Sequence, residues 1–251
     1  MEFEYSDKVK RLRRQLLDFM EDHVEPRMAL WRREVHAGTY PVSFMADLKA
    51  LAREEGLWNL FLSDLREDEP GTGLSNLEYA PLAEIMGRVP WAPEVFNCNA
   101  PDTGNMELLH QFATPEQRER WLLPLLHGEI RSAFAMTEPD VASSDATNIQ
   151  TRIERQGDEY VINGRKWFIT NASHPDCRLF ILMGKTDPDG EDRHRQQSMI
   201  LVPMDTPGVE VLRNIPCLNH VSPEGHSEVV FRNVRVPVGN LLGAEGDGFM
   251  M

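Results

Sequence analysis

The sequence predicts an α+β protein in which a helical N-terminal domain, residues 1–130, precedes a β-barrel or β-sandwich domain, residues 131–240. Two observations support this fold class. Apolar residues recur at helical spacing through the first half of the chain, next to capping residues. After Gly128 the apolar period falls toward two, and short segments rich in β-branched and aromatic residues alternate with turn residues. We therefore place the domain boundary near residues 128–133.

The helices are predicted from their faces and their ends. Apolar residues share one face from Val9 onward, with Ser6 available as the N-cap and Pro26 expected to close the helix. A second helix is predicted over Pro41–Gly56, because proline suits a first turn and glycine suits a C-terminal cap. Capping-box patterns predict two more helix starts, at Ser75 with Glu78 and at Thr114 with Gln117.

Five strand segments are predicted in the second half because each is short, apolar and rich in β-branched or aromatic residues. They are Tyr160–Ile162, Lys166–Ile169, Leu179–Met183, Met199–Val202 and Val229–Val236. Asn163-Gly164 stands between the first two segments and is the strongest hairpin signal in the chain. The charged segment Asp187–Gln197 is predicted to be a solvated hairpin end.

Charge and composition argue against several kinds of partner. The 251 residues include 26 Lys+Arg and 40 Asp+Glu, a formal net charge of -14. This charge repels nucleic acids and anionic membrane surfaces, so we expect neither as a partner. An anionic substrate would need a local basic or amide-lined site. The sequence has no apolar run of the length that spans a bilayer and no signal-peptide core, which favours a cytoplasmic protein.

The common motifs for metal and nucleotide chemistry are absent from the sequence. Cys98, Cys177 and Cys217 lie far apart and share no metal-type spacing, so we expect neither a disulfide framework nor a metal site. The chain contains no Rossmann fingerprint, P-loop, HExxH or GxSxG pattern. Any chemistry must therefore be carried by other segments.

Two segments are candidates. Ala133–Asp145 is a strand-like lead-in followed by a loop of small and hydroxylic residues, which can bring backbone amides close to a ligand. Lys166–Asn171 contains an aromatic pair that could line a cofactor. Residue chemistry alone leaves simpler readings open, because Thr137 and Ser143 can bond to the local backbone and an aromatic pair can belong to a sheet face.

Together these two segments resemble the acyl-CoA dehydrogenase family, which carries a T-E-P-x-x-x-S-D loop and, downstream, an N-G-x-K-x-W-I-T-N strand. Here they stand as Thr137-Glu138-Pro139 leading to Ser144-Asp145, and as Asn163 through Asn171. This sequence has one more residue between Pro139 and Ser144 than the family pattern, and Phe168 stands where many relatives have tryptophan.

The resemblance covers nearly the whole chain. It continues through Phe231–Pro237 and Leu241–Phe249. Phe134–Asn148 and Ser198–Pro203 are most similar to the branch that contains the mammalian members ten and eleven. The family implies that residues 241–251 open a further, C-terminal helical domain that is absent from this chain.

The resemblance implies an FAD-dependent oxidoreductase of fatty-acid β-oxidation. Its reaction would remove the α-proton of an acyl-CoA thioester and pass the β-hydrogen as hydride to flavin N5, giving the trans-2-enoyl-CoA. An electron-transferring flavoprotein would accept the electrons, and the protein would form a homo-oligomer, either a dimer or a tetramer. The family's base is a carboxylate in the later helical domain and is expected beyond Met251, so no catalytic residue is assigned here.

Nine residues are expected, by resemblance, to bind FAD. They are Phe134, Ala135, Met136, Thr137, Ser143, Ser144, Phe168, Ile169 and Thr170. The Thr137 hydroxyl would meet the polar edge of the flavin ring, and the Thr170 hydroxyl would point toward N5. Ser144 would touch both FAD and acyl-CoA.

Two alternative functions remain open at this point. Flavin-dependent monooxygenases and acyl-CoA oxidases share this fold, and a fold does not fix chemistry. A shortened member of the family could also act as a non-catalytic binding module. Glu138 and Asp145 are the carboxylates beside the flavin-lining loop, and the resemblance gives both of them loop-structuring roles. Neither acyl chain length nor branching is predicted.

Overall fold

A computed structural model describes residues 4–218 and 222–251. Helices precede strands along the chain, which confirms the predicted α+β order. Contacts divide the chain into two compact units, residues 1–103 and 104–251. The division precedes the predicted boundary because helices near the end of the helical half group with the sheet.

Within the described residues, the helices have the following bounds. They are α1 (Asp7–Phe19), α2 (Met28–His36), α3 (Met45–Glu54), α4 (Asn76–Met86), α5 (Ala92–Val95), α6 (Asp102–Phe112), α7 (Pro115–Gln117) and α8 (Leu123–Leu126).

The first predicted helix is confirmed at its start and extended at its end. Ser6 Oγ accepts a hydrogen bond from Val9 N at 3.3 Å and caps α1. Pro26 does not close the helical path, because a π turn and the 3-10 turn Glu25–Arg27 lead directly into α2. Proline fits the first turn of that 3-10 segment, where its missing N–H leaves no bond unmade.

The second predicted helix starts later than expected and ends where expected. α3 begins at Met45 rather than Pro41. The Ser43 amide and hydroxyl both donate to the Glu34 carboxylate, at 2.7 and 2.6 Å, and this holds the preceding turn outside the helix. Gly56 has φ +72°, the left-handed conformation that favours glycine after a helix end.

Both predicted capping boxes are confirmed. Glu78 N donates to Ser75 Oγ at 3.4 Å, and Ser75 N donates to the Glu78 carboxylate at 3.0 Å. Thr114 and Gln117 form the same reciprocal pair at 3.1 and 3.3 Å. The Gln117 amide also donates to two carbonyls in residues 239–241, each at 2.8 Å, and so ties α7 to the end of the β-region.

The β-region is one mixed sheet. Its strands are β1 (Arg131–Ala135), β2 (Arg152–Gln156), β3 (Glu159–Thr170), β4 (Cys177–Lys185), β5 (Gln197–Pro203), β6 (Val209–Asn214), β7 (His226–Pro237) and β8 (Leu241–Leu242). They are ordered β6-β7-β3-β2-β4-β5-β8, and β1 pairs in parallel with β4. Tyr160, Phe180 and Phe231 are among the largest side chains of the core.

The predicted hairpin at Asn163-Gly164 is wrong. β3 runs straight through both residues, and the chain turns between β2 and β3 at Gly157, where φ is +65°. Gly164 is required for packing, because a Cβ there would lie 2.2 Å from Thr151 Oγ1. The Asn163 side chain accepts from Asn233 N at 2.8 Å, so it bridges to β7 instead of forming a turn.

Two strands carried weak sequence signals. β2 is mostly exposed, with only Ile153 buried, and β6 alternates only between half-buried and exposed residues. Neither strand shows the apolar alternation that marks a half-buried strand. Both are held by pairing with neighbouring strands, β2 with β3 and β6 with β7.

The last segment, Leu241 to Met251, is the one expected to open a further helical domain, and that expectation stays a prediction. It begins with β8, whose two residues pair with β5, and Gly248 N then donates to Gln197 O at 2.9 Å. Met251 N donates to Asp247 O at 3.2 Å, which closes a turn and not a helix. A two-residue pairing depends on the partner strand and leaves no local pattern, so the sequence did not reveal it.

Other expectations can be compared directly with the structure. β4 ends at Lys185 and the antiparallel β5 begins at Gln197, so the charged segment between them is a hairpin end, as predicted. None of the three cysteines forms a disulfide within the described residues; Cys98 and Cys177 are buried and Cys217 is exposed. Within residues 4–218 and 222–251, no cluster of three His, Cys, Asp or Glu side chains could hold a metal. No helix among those residues is long and apolar enough to cross a membrane.

We predict that Gly164→Ala lowers the free energy of unfolding by about 1–3 kcal/mol, because the added methyl would overlap the Thr151 side chain. Gly104→Ala in α6 is the control, since nothing lies within 4 Å of a Cβ at that position. It should be neutral or stabilising by up to about 1 kcal/mol. Urea unfolding of both variants measures the difference, and equal stabilities would contradict the packing role of Gly164.

Candidate functional site

The two segments of the family motif lie side by side in the structure. At one end, Asn171 Nδ2 donates to Ser132 O at 3.1 Å. At the other end, Trp167 N donates to Thr137 O at 3.0 Å, and Thr137 Oγ1 donates to Trp167 O at 2.6 Å. β1 and the residues after it therefore run antiparallel to the last part of β3. This arrangement places the predicted flavin-binding residues 134–137 beside residues 168–170.

The predicted residues differ in what they can offer a ligand. Ala135, Ser143 and Ile169 are buried, so their side chains are occupied by packing. Phe134, Met136, Thr137 and Thr170 are half-buried, and Phe168 and Ser144 are exposed. The accessible members include both apolar and hydroxylic side chains, and most of them stand at or just after the ends of β1 and β3.

Phe168 has an unusual backbone. Its φ is +54°, a left-handed conformation that is rare for a bulky side chain and usually costs about 1–3 kcal/mol. The β3–β7 register shifts between Lys166 and Ile169, so the residue sits in a bulge. The ring is 40% exposed and packs edge-on against Trp167, with centroids 4.9 Å apart. The strand thus presents a partly exposed aromatic surface.

A buried ion pair fixes the loop that follows β1. Lys166 Nζ donates to Met136 O at 2.7 Å and to Glu138 Oε1 at 2.8 Å. The Glu138 carboxylate also accepts from Gln150 N at 2.7 Å, Thr151 N at 2.9 Å and Thr151 Oγ1 at 2.6 Å. The Lys166 side chain is 0% exposed and that of Glu138 is 5% exposed. One network therefore joins the loop, β3 and the segment before β2.

The electrostatics of this pair indicate an ionised state at neutral pH. Burial raises the pKa of Glu138, but the Lys166 charge and the hydrogen bonds outweigh it and hold that pKa below its ordinary value. Burial lowers the pKa of Lys166 to about 8, against the opposing attraction of Glu138. The carboxylate is fully used as an acceptor and is not placed to act as a base.

The predicted hydroxyl groups have different partners. Thr137 donates to a backbone carbonyl of β3, and Ser143 Oγ accepts from Glu138 N at 2.8 Å. The simpler interpretation, in which these hydroxyls bond only to their local backbone, describes Ser143 but not Thr137, whose partner carbonyl lies on β3. Thr170 Oγ1 lies 2.9 Å from Nδ1 of His226 on β7. Ser144 has no hydrogen-bond partner within the described residues, and its hydroxyl is open to solvent.

Basic side chains gather beside the exposed Ser144. Asp145 Oδ1 accepts from Thr147 N and Thr147 Oγ1, and these bonds lower the pKa of Asp145. Arg193 Nη2 donates to Thr147 Oγ1 at 2.7 Å. Burial, followed by the positive charge of Arg193, lowers the pKa of Lys185. Arg193 and Lys185 therefore place positive charge next to the Asp145 carboxylate in a chain whose net charge is negative.

Sequence reasoning missed three of these features. Lys166 was part of the recognised motif, but its pairing with Glu138 depends on a distant contact between segments. His226 carried no local signal because it begins a strand just after a turn. Arg193 lies in the charged hairpin end, where a solvated face was the simplest expectation.

Met251, beyond which the family's base is expected, lies beside Gly243. Its side chain is half-buried, and its sulfur would lie 3.2 Å from a Cβ added at Gly243. A thioether cannot take up a proton as a carboxylate can, so Met251 offers no substitute base. The expectation that the base lies beyond Met251 is not tested by these contacts and stays a prediction.

A separate cleft of about 550 Å³ contains none of the nine predicted residues. Trp121, Cys177 and Arg178 are among its lining residues. Cys177 pairs with Arg131 at the start of β1, whereas the flavin-lining loop follows the opposite end of that strand. The cleft and the candidate site are therefore distinct.

We predict that Lys166→Met lowers the free energy of unfolding by about 3–5 kcal/mol, because Glu138 would remain buried without its counter-ion. Adding Glu138→Gln should recover much of the loss, since the amide is neutral. Arg235→Met removes an exposed pair with Glu159 and should cost about 0–1 kcal/mol. Urea unfolding compares the variants; a small effect of Lys166→Met alone would show that the pair is dispensable.

The same pair predicts a dependence of stability on pH. The pKa of Lys166 is about 8 in the folded chain and 10.5 for an ordinary lysine, so the unfolded state binds more protons between these values. The penalty for burying the cation is present below about pH 8 and is relieved as pH rises toward 10.5. The unfolding free energy of the wild type should therefore rise relative to the Lys166→Met/Glu138→Gln variant. A flat or falling difference over this range would contradict the assignment.

Comparison with known families identifies both halves of the chain. Residues 6–129 match the model for the acyl-CoA dehydrogenase N-terminal domain, and residues 133–234 match the model for the acyl-CoA dehydrogenase middle domain. The first match ends at residue 129 and the second begins at residue 133.

Curated relatives agree with the predicted branch. The chain is 52% identical to the probable acyl-CoA dehydrogenase FadE2 of Mycobacterium tuberculosis, over 99% of this chain and 61% of that protein. It is 50% identical to acyl-CoA dehydrogenase family member 10 of Mus musculus, over 97% of this chain and 23% of that protein. The chain thus spans about three-fifths or less of these relatives' length.

Solved structures share the fold. A Mycobacterium abscessus protein assigned to the acyl-CoA dehydrogenases superposes with a TM-score of 0.92 at 49% identity, covering 99% of this chain and 63% of that one. PigA, solved with FAD and proline, superposes with a TM-score of 0.81 at 27% identity, covering 100% of this chain and 61% of that one. From the two family models, the relatives and the geometry, the chain belongs to the acyl-CoA dehydrogenase family.

Proposed function

We propose that this chain supplies the FAD-binding, hydride-accepting part of an acyl-CoA dehydrogenase that converts an acyl-CoA thioester to the trans-2-enoyl-CoA. The observation that carries the proposal is the paired contact between Thr137 and Trp167, which joins the two motif segments into one face. The FAD bound in PigA, a relative of the same fold, supports the cofactor.

The residues of this face fit a flavin. Phe134, Met136 and Phe168 offer apolar surface for a ring system, and Phe168 is held outward at the expense of a left-handed backbone. The Thr170 hydroxyl stands at the end of β3 as the polar group expected near N5. The Thr137 hydroxyl donates its hydrogen bond to Trp167 O. It can therefore offer the polar edge of the flavin ring a lone pair but not a donor.

When bound, FAD would take the β-hydrogen of the thioester as hydride. The role of the chain is to hold FAD and the thioester in the relative positions that hydride transfer requires. The network of Lys166 and Glu138 fixes the loop that carries Thr137 and Ser144, so the two sides of the site keep their separation.

An anionic acyl-CoA would be attracted by the basic cluster beside Ser144. Arg193 and Lys185 lie near Asp145 and Thr147, and they offset the net charge of -14 locally. Ser144 is exposed and small, as expected for a residue shared by the cofactor and the substrate. The cluster therefore supplies the local basic site that an anionic substrate requires.

The α-proton base is proposed to be a carboxylate beyond Met251. Glu138 is saturated by four donors, and Asp145 caps the turn at Thr147. We propose further that electrons pass to an electron-transferring flavoprotein, that the whole protein is a cytoplasmic homo-oligomer, and that it serves β-oxidation; these follow from family membership alone.

A second candidate is a flavin-dependent monooxygenase, oxidase or other flavoenzyme that acts on a different substrate. The proline bound in PigA supports this second candidate, because the same fold there holds a ligand that is not a thioester. Oxygen reactivity discriminates between them: a reduced flavin that reoxidises slowly in air indicates a dehydrogenase. Rapid oxygen consumption indicates the alternative.

The test uses the 251-residue chain with FAD and several acyl-CoA thioesters under anaerobic conditions. We expect FAD binding with a perturbed flavin spectrum, reduction by dithionite, and no stoichiometric enoyl-CoA. Ser144→Leu should weaken FAD or acyl-CoA binding by roughly tenfold or more, because a large side chain fills the space, whereas Ser144→Ala should bind nearly as the wild type does.

Each failure in that test points to a different part of the proposal. A chain that does not bind FAD would overturn the proposed function. Stoichiometric bleaching of the flavin with enoyl-CoA formation would instead overturn the placement of the base. Normal binding by Ser144→Leu would remove Ser144 from the shared border of cofactor and substrate.

A further inference from the structure

His226 is the polar neighbour of the hydroxyl that stands at the proposed redox edge. Its Nδ1 lies 2.9 Å from Thr170 Oγ1, across the β3–β7 ladder. Thr170 and His226 are directly paired in that ladder, so their side chains lie on the same face of the sheet. Within residues 4–218 and 222–251, this is the one hydrogen bond of the Thr170 hydroxyl.

Backbone hydrogen bonds hold the chain on both sides of the His226 side chain. Asn171 N donates to Gly225 O at 3.3 Å, and Ile215 N donates to His226 O at 2.8 Å. Gly225 is packed so closely that a Cβ would lie 2.2 Å from Ser173 Oγ. His226 therefore faces Thr170 from a fixed position.

The direction of this hydrogen bond decides what Thr170 can do. A hydroxyl has one proton, and a neutral imidazole nitrogen is either a donor or an acceptor. If Nδ1 accepts, the Thr170 hydroxyl donates its hydrogen bond to the histidine and presents only lone pairs to the flavin. If Nδ1 carries the proton and donates, the Thr170 proton is released toward the flavin.

We propose that His226 is a positioning residue whose Nδ1–H donates to Thr170 Oγ1 and directs the threonine proton toward flavin N5. This inference rests on the proposed function, because oxidised N5 is an acceptor and needs a donor opposite it. His226 then acts on the cofactor through Thr170 and without touching it.

The first arm of the test needs no cofactor. ¹⁵N NMR of the imidazole rings in the 251-residue chain, with His226 assigned by loss of its signal in His226→Asn, reports which nitrogen carries the proton. We expect a neutral ring protonated at Nδ1, with a shifted Nδ1 signal in Thr170→Val. A neutral ring protonated at Nε2 would overturn the inference.

The second arm compares two nearly isosteric replacements with FAD bound. His226→Asn keeps an N–H that can donate to Thr170, whereas His226→Asp offers only acceptors and draws the threonine proton away from the flavin. We expect Asn to keep the flavin reduction potential close to that of the wild type. We expect Asp to lower it and to weaken FAD binding about tenfold.

The Thr170→Val background separates positioning from the charge of the new aspartate. There the two replacements should differ only by that charge, so the Asn–Asp difference in potential should be smaller than it is with Thr170 present. An equal difference in both backgrounds would show that His226 does not act through Thr170. Loss of FAD binding in the wild type would overturn the proposed function and, with it, this inference, whereas normal binding with an equal difference would overturn the inference alone.

Discussion

The buried ion pair between Lys166 and Glu138 is the constraint on which the candidate site depends. Burying two charges carries a large desolvation cost, so the pair is weak evidence for stability. Its value lies in geometry. Lys166 reaches Met136 O as well as Glu138, and Glu138 gathers the two amides at Gln150 and Thr151. Since each donor and acceptor has a specific partner, the loop has one satisfied arrangement relative to β3. The placement of Thr137 against Trp167 follows from that arrangement.

The parts of the fold that could be predicted from sequence are those with a local physical signal. The Ser75 and Thr114 capping boxes involve residues three apart, and both appear in the structure. Gly164 shows where local reasoning fails: the same dipeptide that favours a turn is used here to admit the Thr151 side chain, thirteen residues earlier in sequence. The contacts of the site behave likewise. Local reasoning described the bond of Ser143 to the backbone of its own loop, whereas the bond of Thr137 to Trp167 joins two segments that only the family resemblance had linked.

Phe168 combines a strained backbone conformation with a ring that is exposed enough to contact a ligand. A bulky residue with φ +54° would ordinarily be replaced or relaxed, and the ring gains little burial in return, since it remains 40% exposed. The strain is held because Lys166 and Ile169 on either side are fully buried and fix the strand at both ends of the bulge. The substitution of phenylalanine for the family's tryptophan keeps an apolar face and removes an N–H donor. Polar contacts from residues 168–170 to a bound flavin must then come from the backbone and from Thr170.

Two kinds of positive charge serve the site in different ways. Lys166 is buried and bonded to protein atoms, so its charge stabilises the position of the loop and is not available to a ligand. Arg193 and Lys185 lie nearer the surface, and Arg193 donates to the Thr147 hydroxyl that is itself bonded to Asp145. A chain with net charge -14 repels anions at long range, and this repulsion is screened within about 10 Å at 0.1 M salt. Inside that distance the charges of Arg193 and Lys185 oppose the repulsion that an anionic ligand would meet from the rest of the chain.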